Sequence, residues 1–107
     1  FDGDNTVIRN NTIVGEFSVS GIYNVTTAAE GAIIMDNSIM NLSAAAAAGG
    51  ISLKAGCTGM IYRNHIVALE TSAAAGAVLN QSCAMSENYV AVATNLEAIA
   101  IPTTPSA

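Results

Sequence analysis

Residues 60–67 read Met-Ile-Tyr-Arg-Asn-His-Ile-Val and hold the chain's one histidine, His65, beside Tyr62, Arg63 and Asn64. Alone, these polar side chains look like a small acid–base site. The same frame recurs with that chemistry removed, as Val7-Ile8-Arg9-Asn10-Asn11-Thr12-Ile13-Val14, Ile33-Ile34-Met35-Asp36-Asn37-Ser38-Ile39-Met40 and Ala84-Met85-Ser86-Glu87-Asn88-Tyr89-Val90-Ala91. Each copy has an aliphatic or Met residue three before an Asn and a β-branched or aliphatic residue two after it. The asparagines Asn11, Asn37, Asn64 and Asn88 are 26, 27 and 24 residues apart. A fixed period of this size is the signature of a stacked-repeat architecture.

A second frame lies between the copies. Gly21-Ile22-Tyr23-Asn24, Gly50-Ile51-Ser52-Leu53 and Gly76-Ala77-Val78-Leu79 recur, with Ala98-Ile99-Ala100-Ile101 as a degenerate fourth. The unit is therefore about 26 residues with two or three short, β-branched, partly alternating strands. Asn, Gly, Ser and Thr punctuate them. The alanine runs at 44–48 and 73–75 are too short to nucleate helix and are expected to be loops or widened turns.

The reading that follows is all-β, a parallel β-helix (solenoid) of about four coils over residues 1–101, with an extended tail at 102–107. Strands of successive coils pair in parallel at roughly 4.8 Å. The turn Asn is expected to take the left-handed backbone region and to bond amide to amide between coils as an Asn ladder. Two inward files are expected to build the core: Ile8, Ile34, Ile61, Met85, and Ile13, Ile39, Ile66, Val90. His65 then aligns with Thr12, Ser38 and Tyr89, facing outward. Arg63 aligns with Asn10, Asp36 and Glu87. The opposite charges of Asp36, Arg63 and Glu87 support register on a solvated surface rather than a catalytic pair, because Arg63 between the carboxylates opposes a raised pKa in either.

Composition excludes several functions. The apolar share is 51% but holds no Trp, and 10% of residues are charged, against about 25% in an ordinary domain. With a net charge of −5 and only Arg9, Lys54 and Arg63 as fixed cations, no basic patch exists for nucleic acid or anionic lipid. No apolar run approaches the roughly 20 residues of a membrane span. No signal peptide is expected, and the start at Phe1 leaves a processed or partial protein open. No cofactor motif is visible, and a small-molecule substrate is not expected. Cys57 and Cys83 form no metal pattern. They are expected at equivalent places in successive coils, in an inward file with Ala28; a disulfide and two buried thiols both fit, the thiols being preferred. Asp2-Gly3-Asp4-Asn5 lacks the remaining spaced ligands of a calcium loop. Asn11-Thr12, Asn24-Val25-Thr26, Asn41-Leu42-Ser43 and Asn80-Gln81-Ser82 fall in glycosylation sequons that carry no information in so Asn-rich a chain.

The recurring Asn11-Thr12-Ile13, Asn37-Ser38-Ile39 and Asn64-His65-Ile66 resemble the coils of the right-handed parallel β-helix superfamily of pectate lyases, bacteriophage tailspikes and related phage structural proteins. The resemblance covers about residues 4–101 and supplies the right hand of the coil. The catalytic members' clusters of Asp and Glu, or of Asp with Arg and Lys, on one face are not matched, so no catalytic residue is assigned. Exposed strand edges without visible caps and low surface charge imply burial in an assembly, and the resemblance to phage members implies a homotrimer. The expected function is non-enzymatic: a virion structural protein, a capsid cement or decoration protein bound to the major capsid protein, assembled in the host cytoplasm. The alternative is a tailspike- or adhesin-type β-helix fragment that binds or cleaves polysaccharide. Ile101, Pro102 and Pro105 mark an extended arm for a partner or a frayed terminus.

Overall fold

A computed structural model describes residues 1–24, 26–43, 49–69, 78–80, 82–92 and 99–100. Every regular element among them is a strand: β1 (Val7–Arg9), β2 (Thr12–Gly15), β3 (Ser20–Tyr23), β4 (Ala32–Met35), β5 (Ser38–Asn41), β6 (Gly49–Ser52), β7 (Thr58–Tyr62), β8 (His65–Ala68), β9 (Val78–Leu79), β10 (Ser82–Ser86), β11 (Tyr89–Val92) and β12 (Ile99–Ala100). They form three four-stranded sheets, ordered β1-β4-β7-β10, β2-β5-β8-β11 and β3-β6-β9-β12. All neighbours are parallel. The chain thus passes through the sheets in turn and returns to each at every third strand.

Strand burial alternates with the period of two that a pleated backbone imposes. In β8, His65 is exposed, Ile66 buried, Val67 half-buried and Ala68 buried. The inward residues stack like on like. Ile8, Ile34, Ile61 and Met85 lie side by side across the first sheet, and Ile13, Ile39, Ile66 and Val90 across the second. Ile34, Ile39, Ile61 and Ile66 are fully buried; Ile8, Ile13, Met85 and Val90, at the ends of the stack, are only partly so. Each fully buried isoleucine contributes about 1.5–3 kcal/mol by leaving water.

In the third sheet, the observed register departs from the sequence frame. Ile51 pairs with Val78, and Val78 with Ile99, whereas the Gly76 frame set Ala77 opposite Ile51. Gly76, Ala77, Ala98 and Ile101 themselves lie outside the described residues, as do 44–48, 73–75 and the tail with Pro102 and Pro105. A shift of one residue turns a side chain to the other face. This register sends Val78, fully buried, into the file of Ile22 and Ile51, where a branched side chain fills the core.

The corners bring a second correction. At the corners between the first and second sheets the left-handed residues are Asn10, Asp36, Arg63 and Glu87, with φ of 57°, 54°, 52° and 57°, each one place before the asparagine expected to adopt that conformation. Asn11, Asn37, Asn64 and Asn88 instead use their side chains. An L-residue other than Asn or Asp is strained in this region, and Asn10 and Asp36 already satisfy it. Glu87→Asn, at an exposed corner, is expected to stabilise the chain by about 0.5 kcal/mol, a rise of about 2–4 °C in Tm. A thermal melt showing no rise would contradict it.

Candidate functional site

The corners between the first and second sheets line up along the stack and enclose an open recess of about 400 Å³, walled by Asp36, Asn37, Ser38, Arg63, Asn64, His65, Glu87 and Tyr89. Its floor is the file of asparagines. Asn11 donates both its backbone N–H and its Nδ2 to Asn37 Oδ1 at 3.1 Å. Asn37 does the same to Asn64 Oδ1 at 3.0 Å, and Asn64 to Asn88 Oδ1 at 3.0 Å. The other amide hydrogen closes the corner: Asn37 Nδ2 reaches the Ile8 carbonyl, Asn64 Nδ2 that of Ile34 and Asn88 Nδ2 that of Ile61, at 2.8–3.0 Å. Asn37 and Asn64 are almost wholly buried, so these bonds satisfy groups that would otherwise be costly to desolvate.

The rim is charged and aromatic. Arg63 grips Asp36 with two bonds, Nε to Oδ1 at 2.9 Å and Nη2 to Oδ2 at 3.0 Å. The bonded carboxylate raises the arginine's pKa further. The guanidinium carbon stands 4.8 Å from the centre of the Tyr62 ring, and the Tyr62 hydroxyl donates to Met35 Sδ at 3.1 Å. The rings of His65 and Tyr89 stack with centroids 4.7 Å apart and planes 9° from parallel. The residue alignment therefore brings His65, Arg63, Asp36, Glu87 and Tyr89 together around one recess.

Three further buried amides are Asn24, Asn41 and Asn80, which the sequence offered as sequons, Asn24 also closing the Gly21 copy of the second frame. Asn41 Nδ2 donates to the carbonyls of Phe17, Val19 and Gly49, and its Oδ1 accepts from the N–H of Phe17 and of Ser43. Asn24 Nδ2 donates to Phe1 O and Thr27 O, and its Oδ1 accepts from Lys54 N and from the Cys57 thiol at 2.7 Å. Asn80 exchanges two bonds with the Cys83 backbone. These side chains replace strand pairing where the chain leaves a sheet. Their one sequence signal is position: each directly follows or ends an apolar strand.

Cys57 and Cys83 are buried free thiols and do not share a register position. Cys83 lies opposite Gly59, two residues beyond Cys57, because Ser82 pairs with Thr58. Burial, and secondarily the neighbouring Cys57, pushes the Cys83 thiol up to about 11, which keeps it protonated and unreactive at neutral pH. The acidic start of the chain is used as a set of acceptors. Asp2 receives the N–H groups of Thr26 and Thr27, and Asp4 that of Glu30. Among the described residues, no three His, Cys, Asp or Glu gather into a metal-binding group.

No protein-family model, curated protein or solved structure matches the chain.

Proposed function

We propose that the chain is a right-handed parallel β-helix of about four coils, roughly 26 residues each, working as a non-enzymatic virion structural protein. In this reading it is a capsid cement protein, a homotrimer seated on the major capsid protein of a tailed phage. The three parallel sheets visited in turn support the coil, and the hand follows the resemblance to phage β-helices.

One observation carries the functional reading: two sheets each present an uncharged, apolar file on their outward face. Across the first sheet run Val7, Ile33, Met60 and Ala84, and across the second Val14, Met40, Val67 and Ala91. Val7 and Val14 are more than half exposed, and Met60 is 44% exposed. Contiguous outward files without a charge mark interaction surfaces, and assembly stabilises the bound state by mass action without chemistry. Light scattering over a range of concentrations should give three times the chain's mass. Met60→Lys should give a monomer with an unchanged circular dichroism spectrum. A wild-type monomer at every concentration would overturn the trimer. An antibody against the chain should decorate the shells of the particles whose genome encodes it.

The polysaccharide reading draws on the stacked His65–Tyr89 pair beside Arg63 and Asp36, since aromatic faces and paired ions are how proteins hold sugars. Antibody labelling confined to tail fibres would favour it over the cement role.

A further inference from the structure

The three sheets leave two unlike ends. β1, β2 and β3 are the first strands of their sheets and β10, β11 and β12 the last; no described strand pairs with their outer edges, although the Phe1 ammonium covers the β3 edge at the Tyr23 carbonyl, 2.7 Å away. The asparagine file gives these ends opposite hydrogen-bonding sense. Every amide bond from Asn11 to Asn88 runs the same way, each residue donating to the next. At the β10 end, Asn88 gives one amide hydrogen to Ile61 O; its backbone N–H and its second amide hydrogen meet no acceptor among the described residues. At the β1 end, Asn11 Oδ1 accepts no hydrogen bond among the described residues. Among the described residues, the β1 end offers a spare acceptor, Asn11 Oδ1, beside one spare Asn11 amide hydrogen, and the β10 end a pair of spare donors on Asn88.

The apolar core ends in the same complementary way. A recess of about 470 Å³ opens at the β1 end, with Phe1, Ile8, Ile13 and Ile22 in its wall and Asn11 beside them. The corresponding files finish at the other end in Met85 and Val90, both partly buried. A second copy set with its β10 end on this recess continues the Ile8 file with Met85 and the Ile13 file with Val90. Its Asn88 donors then meet Asn11 Oδ1, and strand direction is preserved in the first two sheets.

We propose that the β1 end is a docking surface for the β10 end of another copy, extending the first two sheets by parallel strand addition. Unprotected edges are templates for such pairing, and the contact is head-to-tail, joining two different surfaces. The inference rests on the coil reading above but is independent of the trimer, which uses the outward sheet faces.

The register makes it testable. Arg9, Met35, Tyr62 and Ser86 form one outward file, so Arg9 of one copy would sit opposite Ser86 of the next, at about the 4.8 Å strand spacing and within disulfide reach. Both residues are exposed. Arg9→Cys and Ser86→Cys copies are mixed under mild oxidation, with the wild type as the blank for Cys57 and Cys83. The expected product is a disulfide-linked pair containing one copy of each variant, at least fivefold above the self-linked pairs. Adding Asn11→Lys to the Arg9→Cys copy, which sets a donor against donors, should cut that yield at least fivefold. Adding Met60→Lys, which disables the outward face, should leave it unchanged, so loss of the trimer and loss of the end contact are told apart. Self-linked pairs in excess, or a mixed yield indifferent to Asn11→Lys, would overturn the proposal.

Discussion

Gly59→Ala is expected to destabilise the chain by about 3–5 kcal/mol, the range reserved for strained backbone and overpacking. Gly59 sits in β7 between Ala32 of β4 and Cys83 of β10, with φ of +136°. A Cβ there would fall onto the Ala32 carbonyl oxygen and within 2.6 Å of the Ala32 nitrogen. These are backbone atoms in a parallel strand pair. They cannot swing aside as a side chain would, so the pair must part or the φ must change. Gly3→Ala is the matched control, since its nearest atom is Thr6 Oγ1 at 3.5 Å, an ordinary contact, and its cost should stay within about 0.5 kcal/mol. Urea titration reads both as shifts of the midpoint at constant slope. Equal, small shifts would show that β4 and β7 do not approach each other as described.

The second large effect is expected at the asparagine file. Asn64 accepts from Asn37 through Oδ1 and donates through Nδ2 to Ile34 O and Asn88 Oδ1, with 2% of its surface exposed. Asn64→Asp keeps the shape and the accepting oxygen but turns the donor into a second oxygen facing two others. One oxygen of the buried carboxylate keeps the two Asn37 donors, but the other faces Ile34 O and Asn88 Oδ1 with no donor, at a cost of about 3–5 kcal/mol. The sign of the pH dependence follows. Burial and facing oxygens disfavour the charged carboxylate, so the folded-state pKa of the new carboxyl lies above its unfolded value of about 3.9. The variant is then least impaired below that unfolded value and loses stability as pH rises through the folded one. Asn64→Ala loses the same bonds without adding a charge, so its deficit relative to wild type should not change with pH. Chemical denaturation at pH 4 and pH 7 separates the two. A pH-independent deficit in Asn64→Asp would mean that the amide does not donate where the geometry places it.

These two expectations also mark the boundary between what the sequence carried and what it did not. The frame of an aliphatic residue, an Asn and a branched residue repeats because each layer must present the same side chain to the layer above. Ile34 and Ile61 are therefore recognisable as neighbours from spacing alone. So are the partners around the recess: once the asparagines align, Asp36, Arg63 and Glu87 must share a corner, and His65 must stand beside Tyr89. In the third sheet, where Gly76, Ala77, Val78 and Leu79 follow one another without polar punctuation, a pattern of small and apolar residues fits two registers equally well. Only the need to fill the space beside Ile22 and Ile51 selects Val78.

The corners failed for a related reason. Asn suits both a left-handed backbone and an amide ladder, and the first layer places Asn10 and Asn11 side by side, so residue preference could not say which did which. The hydrogen bonds between layers decide it, because the ladder needs a side chain aimed along the stack while the preceding residue turns the backbone. Asn24 and Asn41 were illegible as structural residues because their partners, Phe1 and Lys54 for one and Phe17 and Gly49 for the other, come together only when the chain has folded. By itself the sequence determined the repeat, the inward files and the residues that share a corner, all of which follow from period and polarity. The choice of register in the third sheet, of the left-handed residue, and of the amides that close the loops belonged to the tertiary structure, because each depends on satisfying a neighbour in another layer.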